Sequence, residues 1–441
     1  MKKFLFTTLP SNDLGLLTRS LPIARELRDR GHQLAFCNPA KAPNKLISDA
    51  DFENLSPNWA VFRIMAGDNS LSTFFQFLRS KHLKRDLGII WSGLKHLKRY
   101  SSAEIWNIDH FMDLLGMWNE NSVRAAVHAM MELINDYGPD IIIDFWNPWA
   151  CIAAKASNIP LITVIQADMH PQSNGFIWWK QPPFEPPNPV SAINTILMEH
   201  QLKRIEKTGE LLIGDKTLVV GMPETDPLPD TADVTYIGPI LWQKRDEKLP
   251  DWIKALNTEQ PVIWIYPGNP RYMKESKGPF DSIAIIHACI EALKDMSVQV
   301  VLSTGHHSLP KAILPLPSNF RHVPFVPGLA MADRSDLLIH HGGYGSCQTG
   351  LYTGTPALII PTYSERESNA RRIAAVNAGD FVLPTTDATG KKKQVQAEDV
   401  NTKVQHILSN SSFTDNAKRI SEKLQTYGGA ANAATLIEKI V

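Results

Sequence analysis

Residues 336–370 read DLLIHHGGYGSCQTGLYTGTPALIIPTYSERESNA, and this stretch decides the fold prediction. A short apolar strand pattern ends at His340 and His341, and a helical pattern begins a few residues later. The turn between them contains Gly342, Gly343, Gly345 and Ser346. Glycine permits a tight turn, and serine can cap or open the following helix. The segment therefore predicts a parallel strand, a glycine turn and a helix.

That turn is a candidate phosphate-binding site. Amides at the start of a helix lie at the positive end of the helix dipole, so they attract a pyrophosphate group. His341 can donate a further hydrogen bond to a phosphate oxygen. Neither GxGxxG nor GxxxxGK[ST] occurs here, which counts against dinucleotide and P-loop sites. A glycine-rich turn without a ligand remains the alternative interpretation.

Outward from this segment, short apolar strands alternate with helices in both halves of the chain. The first half contains KFLFTTL, QLAFC, DIIIDF and PLITVIQ, and the second contains PVIWIY, VQVVLST, HVPFV, DLLIH and PALIIP. Such alternation predicts parallel, doubly wound sheets. We therefore predict an α/β protein with two Rossmann-like domains facing each other across a central cleft, with ligands at the carboxyl ends of the strands.

The domain boundaries follow from local composition. We assign residues 1–240 to the N-terminal domain and 241–425 to the C-terminal domain. The segment 222–250 is rich in proline and charge, so it is assigned as the linker. The last helix, residues 426–441, is expected to pack back on the N-terminal domain.

Composition restricts the partners. The 441 residues include 45 Lys and Arg against 45 Asp and Glu, so no global field favours nucleic acid. The four scattered cysteines, Cys37, Cys151, Cys289 and Cys347, indicate buried thiols. No apolar stretch approaches the roughly 20 residues that cross a bilayer, so we expect a cytoplasmic protein. Asp49 and Asp51 form the one Asp-x-Asp, which we interpret as a solvated turn. Monomer and homodimer both stay open.

The chain resembles family 1 glycosyltransferases of the two-domain GT-B architecture, which include natural-product, macrolide and sterol glycosyltransferases. The resemblance covers nearly the whole chain. It includes FTTLPSND near the start, DVTYIGPILW, IYPGN, HVPFVPGLAMADRSDLLIHHGG and the closing GGAANAATLIEKI. It implies an inverting, metal-independent transfer of a sugar from a nucleoside-diphosphate donor, UDP- or dTDP-linked, to a hydroxyl of a small-molecule or lipid-like acceptor. No cofactor is implied.

The resemblance also implies roles for individual residues of the C-terminal, donor-binding domain. Those that would hold the diphosphate are His341, Gly342, Gly343, Gly345, Ser346, Gly268 and Asn269. Those that would lie beside the nucleobase are Phe325, Val326 and Pro327. Those that would bind the donor sugar are Glu365, Arg366 and Asn369.

Two positions depart from the family pattern. Thr349 stands where a glutamate usually binds both ribose hydroxyls, which fits a deoxyribose nucleotide such as a dTDP-sugar. Arg366 replaces a glutamine, and a cationic fork there would contact an acidic sugar or the phosphates, or form a salt bridge with Glu367 or a nearby carboxylate. We favour the salt bridge.

The catalytic base is expected in the N-terminal, acceptor-binding domain. An inverting transfer needs a base within hydrogen-bond reach of the acceptor hydroxyl. The family often has a histidine in the loop after the first strand, but LPSNDLGLLTRS contains none, and Asp13 is its only carboxylate. We assign Asp13 as the base; a role in capping the next helix is an equal alternative. His170 is the second candidate, although a lone loop histidine is usually exposed.

Two further segments bear on the acceptor. The loop GFIWWKQPPFEPPNP, residues 175–189, contains Phe176, Trp178, Trp179 and Phe184, which line an acceptor pocket or pack as core. Residues 79–100 contain seven basic residues, one acid and apolar residues at helical spacing: Leu83, Leu87, Ile90, Trp91, Leu94 and Leu97. Such a helix can rest on anionic lipid as a peripheral membrane contact. We favour a core-packing helix with a solvated basic face.

Two other functions share this architecture. A nucleoside-diphosphate-sugar 2-epimerase would need paired acids and no acceptor pocket, so the aromatic loop at 175–189 argues against it. A non-catalytic sugar-nucleotide-binding helper would explain the missing histidine.

Overall fold

The computed structural model describes residues 1–68, 70–97, 104–243, 250–256, 259–268, 282–386 and 393–440. It divides into two compact units. The first comprises Met1–Ser102, Trp106–Trp242 and Tyr427–Val441, and the second comprises Ala103–Ile105 and Gln243–Thr426. Asn269 and the last three positions of the basic segment 79–100 lie outside the described residues.

The strands are short and largely buried. Their bounds are β1 (Lys3–Thr8), β2 (Gln33–Cys37), β3 (Glu53–Leu55), β4 (Ile141–Phe145), β5 (Leu161–Ile165), β6 (Lys216–Val220), β7 (Thr235–Gly238), β8 (Val262–Tyr266), β9 (Gln299–Ser303), β10 (Phe320–Val323), β11 (Leu337–His340), β12 (Ala357–Ile359), β13 (Gly379–Phe381), β14 (Thr385–Thr386) and β15 (Lys393–Gln394). Continuous apolar runs such as IIIDF suit strands that are covered on both faces.

The helices flank these strands. Their bounds are α1 (Gly15–Asp29), α2 (Lys41–Asp49), α3 (Ala60–Met65), α4 (Leu71–Leu78), α5 (Leu83–Leu97), α6 (Ile108–Leu114), α7 (Glu120–Tyr137), α8 (Pro148–Ala156), α9 (Val190–Glu199), α10 (Asp251–Lys254), α11 (Ser282–Leu293), α12 (Gly328–Asp333), α13 (Tyr344–Thr353), α14 (Ser364–Ala375), α15 (Ala397–Ser409), α16 (Ser412–Gln425) and α17 (Gly429–Glu438). No helix of the described ranges is long and apolar enough to cross a membrane.

Each unit has its own parallel sheet. The first sheet has the order β3-β2-β1-β4-β5-β6-β7, and the second has the order β10-β9-β8-β11-β12-β13. The strand order reverses between β1 and β4 in the first sheet and between β8 and β11 in the second. Ligands of such sheets bind outside the carboxyl ends at the reversal. The prediction of two Rossmann-like α/β units is confirmed.

Three local expectations need correction. The segment 222–250 is not wholly a linker, because β7 lies within it and pairs with β6; the surrounding prolines conceal this short strand in the sequence. The pattern HVPFV does not form one strand, since β10 ends at Val323, before Pro324. The first unit contains β3, β6 and β7 in addition to the four expected strands. The expectation of four buried thiols is confirmed.

The orientation of α5 also differs from the expectation. A core-packing helix would bury its apolar stripe, but Leu87, Trp91 and Leu94 are 50%, 63% and 53% exposed. Asp86 is instead fully buried. The preference for an ordinary core-packing helix is therefore wrong, because polar contacts hold the opposite face of α5 to the rest of the unit.

The last helix, α17, is part of the first unit and packs against α1. Two residues just after α1 contact its final turn: Arg30 donates to Glu438 at 2.6 Å, and the His32 ring lies 2.9 Å from the same carboxylate. The C-terminal end of the described chain therefore completes the packing of the first unit.

Candidate functional site

Two loops meet at the strand reversal of the second sheet. Gly268 follows β8 and His341 follows β11, and these strands are direct neighbours. A Cβ placed on Gly268 would lie 3.1 Å from the Cγ atom of His341, so any larger residue would push the two loops apart. The φ of Gly268 is also 102°, in the region that favours glycine. The structure thus brings together two segments that, according to the family resemblance, would hold the same diphosphate.

The glycine turn is built against the His341 ring. Gly342 has a φ of 86°, and a Cβ on it would lie 2.8 Å from the carbonyl oxygen of Arg366. A Cβ on Gly343 would lie 2.5 Å from Nε2 of His341. In the described part of the chain, a Cβ on Gly345 would meet no atom within 4 Å. The first two glycines are therefore fixed by contacts, whereas Gly345 is not.

Helix α13 begins earlier than the sequence suggested. Its N-cap is Gly343 and its first residue is Tyr344, so Ser346 is the third residue and does not open the helix. The Ser346 amide donates to the Gly343 carbonyl at 3.0 Å. The start of α13 therefore follows directly after His341 and Gly342, which places the positive end of its dipole at the strand reversal.

The two histidines at the end of β11 are buried and neutral. Nδ1 of His340 accepts the Gly342 N–H at 3.0 Å, which fixes the turn. Burial, and then the Arg366 guanidinium, lowers the pKa of His340 to about 3. Burial, followed by Arg366 and His340, holds the pKa of His341 well below its usual range. His341 is therefore suited to donate one hydrogen bond from a neutral ring and not to carry a charge.

Helix α14 is joined to the glycine turn by its polar residues. Asn369 donates from Nδ2 to the Gly342 carbonyl and to Oε1 of Glu365, both at 2.9 Å. Asn369 is buried and Glu365 is half-buried. Because Gly342 lies between His341 and α13, the predicted sugar-binding residues and the predicted diphosphate-binding residues form one connected group.

Glu367, one of the carboxylates expected to pair with Arg366, has a different partner. Glu367 pairs with Arg371 at 2.7 Å, because residues four apart share a helix face. Arg366 donates from Nη1 to Thr362 at 2.9 Å, and its guanidinium lies 4.6 Å from the centre of the Tyr363 ring. Its positive charge also contributes to the lowered pKa of His340 and His341.

The residues assigned to the nucleobase have different surroundings. Phe325 is 44% exposed and stacks on His306, with ring centres 4.4 Å apart. Val326 is buried in a cluster with Trp264, and Pro327 is the N-cap of α12. His306 was not predicted as a site residue. It lies 19 positions from Phe325 and reaches it because β9 and β10 are adjacent, so no local sequence signal reveals the pair.

Thr349 lies one turn into α13. Its hydroxyl donates to the Gly345 carbonyl at 2.9 Å, which is the usual local bond of a helical threonine. The side chain is half-buried. The hydroxyl is therefore already bonded within its own helix.

Asp13 lies on the loop that follows β1, at the strand reversal of the first sheet. Its side chain is exposed, and Oδ1 accepts the N–H of Gly15 at 2.9 Å. Gly15 is the first residue of α1, whose formal N-cap, Leu14, makes no side-chain capping bond. Asp13 therefore does contact the helix start, and that bond occupies one of its carboxylate oxygens. A capping role and a role as base are compatible.

His170 is not exposed, contrary to expectation. It is 5% exposed, and its Nδ1 accepts the Gln172 N–H at 3.2 Å. Two backbone bonds fold the chain around His170: the His170 N–H donates to the Ala167 carbonyl, and the His170 carbonyl accepts the Ser173 N–H. Burial lowers the pKa of His170.

The aromatic loop at 175–189 divides into buried and exposed residues. Phe176 is buried, and its N–H donates to the Trp106 carbonyl at 2.9 Å. Trp178 is 43% exposed and makes an edge contact with Trp179 at 5.7 Å between ring centres. Phe184 is also exposed. Phe176 thus packs as core, while the other aromatic residues leave surface for an acceptor.

Sequence reasoning missed Trp146. It directly follows β4, the neighbour of β1, and has a φ of 70°, which is rare for a bulky residue. Its ring stacks on Phe111, with centres 4.5 Å apart and planes inclined by 12°. Strained backbone of this kind concentrates at functional sites. The available signal was a tryptophan immediately after a buried strand.

No group of three His, Cys, Asp or Glu residues in the described ranges is placed to hold a metal ion. The Asp49 and Asp51 pair lies at the end of α2, where Asp51 has a φ of 58° and both side chains are exposed.

Comparison with known proteins agrees with this architecture. The family described as Erythromycin biosynthesis protein CIII-like, C-terminal domain, matches residues 287–436. A demethyllactenocin mycarosyltransferase of Streptomyces fradiae is 31% identical over 328 residues, covering 69% of this chain and 64% of the relative. A PGL/p-HBAD biosynthesis glycosyltransferase of Mycobacterium tuberculosis is 26% identical over 329 residues, covering 69% and 71%.

A solved structure extends the similarity to the whole fold. The glycosyltransferase VinC in complex with dTDP superimposes with a TM-score of 0.64 at 17% identity, covering 99% of each chain. The fold and these relatives define a glycosyltransferase of the GT-B architecture. More particularly, the proteins that it resembles are natural-product and macrolide glycosyltransferases.

Proposed function

We propose that this enzyme is an inverting, metal-independent glycosyltransferase that moves a sugar from a dTDP- or UDP-linked donor to a hydroxyl of a small-molecule or lipid-like acceptor. The observation that carries the proposal is the contact between Gly268 and His341 at the strand reversal of the second sheet, beside the start of α13. The relatives reported above are named glycosyltransferases, and none favours an epimerase or a non-catalytic helper.

The diphosphate would bind at the glycine turn. The amides at the start of α13 and the positive end of its dipole attract anionic oxygens, and the neutral His341 ring adds one N–H donor. As the bond from the sugar to the diphosphate breaks, negative charge grows on the leaving oxygen. Donors already fixed in the folded protein stabilise that charge without rearrangement. These groups would perform the stabilisation that a metal ion performs in other transferases.

The donor would be a dTDP-sugar in preference to a UDP-sugar. A carboxylate can accept hydrogen bonds from both hydroxyls of a ribose, but Thr349 has no carboxylate and its hydroxyl is bonded to Gly345. A deoxyribose has no 2′-hydroxyl, so it loses no hydrogen bond at that position when the carboxylate is absent. The relative VinC, whose structure contains dTDP, supports the same choice.

Asp13 would act as the base. In the proposed step the acceptor oxygen attacks C1 of the sugar, the bond from C1 to the phosphate oxygen breaks, and the nucleoside diphosphate leaves with the electron pair. The acceptor proton passes to the free carboxylate oxygen of Asp13. Attack from the face opposite the leaving group inverts the configuration at C1.

The acceptor would contact aromatic surface of the first unit. Trp178 and Phe184 are exposed, and the Trp146 and Phe111 pair lies beside the strand end that leads to Asp13. Flat apolar rings bind the carbon skeleton of a small-molecule or lipid-like alcohol. The Mycobacterium and Streptomyces relatives act in PGL/p-HBAD biosynthesis and on demethyllactenocin, respectively, according to their names.

The decisive experiment is a nucleotide panel followed by turnover. We expect dTDP to raise the melting temperature more than UDP, because a ligand that binds only the native state stabilises it. We expect the product of a dTDP-sugar and a model aglycone to have the inverted anomeric configuration by NMR, and EDTA to leave the rate unchanged. Retention of configuration, loss of activity in EDTA, or preference for UDP would each contradict the corresponding part of the proposal.

A further inference from the structure

Two consecutive helices of the first unit direct apolar residues into solvent. On α4 these are Leu71, Phe74, Phe75 and Leu78, and on α5 they are Leu87, Trp91 and Leu94. The spacing of three and four residues places each set on one helix face. Together with Met65, they make up eight of the sixteen exposed large apolar side chains in the described part of the chain. Such a concentration indicates an interaction surface.

The inward face of α5 is held by polar contacts. Asp86 is fully buried; it accepts from Nε1 of Trp59, just before α3, at 3.3 Å and from Ser80 at 2.6 Å. Near the other end, the His96 ring lies 2.6 Å from Asp113 and stacks on Trp118. These contacts fix the rotation of the helix, so its apolar stripe is held outward.

The charges around the stripes are of one sign. Arg79, Lys81, Lys84 and Lys95 are exposed. Asp86 is the only acidic residue between positions 70 and 97, and it is buried against Arg85. The whole chain has equal numbers of basic and acidic residues, so this excess of positive charge is local.

We propose that α4 and α5 dock this enzyme on a bilayer that contains anionic lipid. The apolar stripes would enter the boundary between headgroups and acyl chains, with Trp91 at the interface, while the lysines remain at the level of the lipid phosphates. A second copy of the chain on the same face would bring the two sets of lysines together without acidic partners. The charge pattern therefore favours a lipid surface over self-association. None of the residues of this docking surface is among those assigned to the proposed transfer reaction.

Vesicle sedimentation of the full-length protein tests the proposal. The probes are phosphatidylcholine vesicles with and without phosphatidylglycerol. We expect binding to the anionic vesicles only, reduced by about fivefold for each lysine removed in the variant Lys84→Gln, Lys95→Gln. The variant Phe75→Ser, Trp91→Ser removes one large exposed aromatic side chain from each helix, so binding should fall at least about tenfold. The controls Met198→Ser and Lys203→Gln alter exposed residues elsewhere on the first unit and should bind as the wild type does.

Circular dichroism and stabilisation by donor nucleotide establish that each variant is folded. Absence of sedimentation with anionic vesicles would overturn the proposal, as would equal binding to phosphatidylcholine alone or equal losses in the control variants. A lipid-free dimer that the Phe75→Ser, Trp91→Ser variant dissociates, together with no vesicle binding, would assign the surface to a second copy. Neither result would affect the proposed transfer chemistry, which is measured with soluble substrates.

Discussion

The two strand reversals of this enzyme are built differently. In the second unit, the candidate residues come from the ends of neighbouring strands and contact each other: Gly268 lies against His341, and Asn369 bonds to Gly342. In the first unit, the candidates come from separate loops, and they range from the exposed Asp13 to the buried His170. A diphosphate is common to many donors and can be bound by backbone amides, whereas acceptors vary and are bound by side chains on loops.

The largest expected effect tests Asp13, on the loop after β1 in the first unit. Asparagine at position 13 retains an oxygen that can accept the Gly15 N–H but cannot take a proton. We therefore expect Asp13→Asn to lower kcat at least about 100-fold, with an unchanged melting temperature and unchanged donor affinity. Turnover within twofold of the wild type would leave Asp13 with the helix-capping role alone, and Ser11→Ala on the same loop is the matched control.

The next largest effect tests the contacts around the glycine turn of the second unit. Gly343 has a φ of −61°, which alanine adopts without strain, but the added Cβ would approach Nε2 of His341 to 2.5 Å. We expect Gly343→Ala to displace the ring and to weaken donor binding by roughly 10- to 100-fold, the contribution of one hydrogen bond to a charged group. Gly345→Ala, where the space is open, should bind the donor within about twofold of wild type. If calorimetry gives Gly343→Ala and Gly345→Ala the same affinity for the donor, His341 does not contact the diphosphate.

A smaller effect concerns the choice of nucleotide. We expect the wild type to bind dTDP more tightly than UDP and the variant Thr349→Glu to shift the ratio of the two dissociation constants towards UDP by about five- to tenfold, because a carboxylate can accept from both ribose hydroxyls. Thr353→Glu, one turn further along α13, should leave that ratio unaltered. A ratio that is the same in all three proteins would show that position 349 does not contact the ribose.

The smallest expected effect concerns Asp144, a buried residue of β4. Asp144 is buried on β4, where it accepts from Thr7 at 2.5 Å and from the Asn147 N–H at 3.0 Å. Burial raises its pKa to about 6, so the folded protein binds this proton more tightly than the unfolded chain does. Ionisation of the buried carboxyl therefore lowers stability as the pH rises to 6, and the penalty persists above it.

The variant Asp144→Asn lacks this penalty. The variant should be more stable relative to the wild type at pH 8 than at pH 5, and the difference in the free energy of unfolding should grow by about 1 kcal/mol between the two pH values. Urea unfolding at both pH values measures the difference, with Asp140→Asn at the exposed start of the same strand segment as control. A difference that does not depend on pH would contradict the raised pKa.

The sequence predicted the second unit better than the first for a physical reason. The glycine turn, His341 and the polar residues of α14 lie within 30 positions of each other, so local spacing carries the geometry. The His306 and Phe325 pair depends on strand adjacency, and the burial of His170 depends on how a loop folds, so neither has a local pattern. In α5 the sequence predicted the apolar periodicity, but the direction of that face depends on contacts that are distant in sequence: Trp59 donates to Asp86, and the His96 ring lies against Asp113.

The position of α17 has a consequence for the order in which the chain matures. Its contacts with Arg30 and His32 belong to the first unit, yet the ribosome makes it after the whole of the second. At ordinary rates of translation the first unit must wait roughly 10 to 40 seconds after residue 242 for its last helix. The unit that begins to emerge first is thus the last to be completed, and its α1 surface stays uncovered while the nascent chain lengthens.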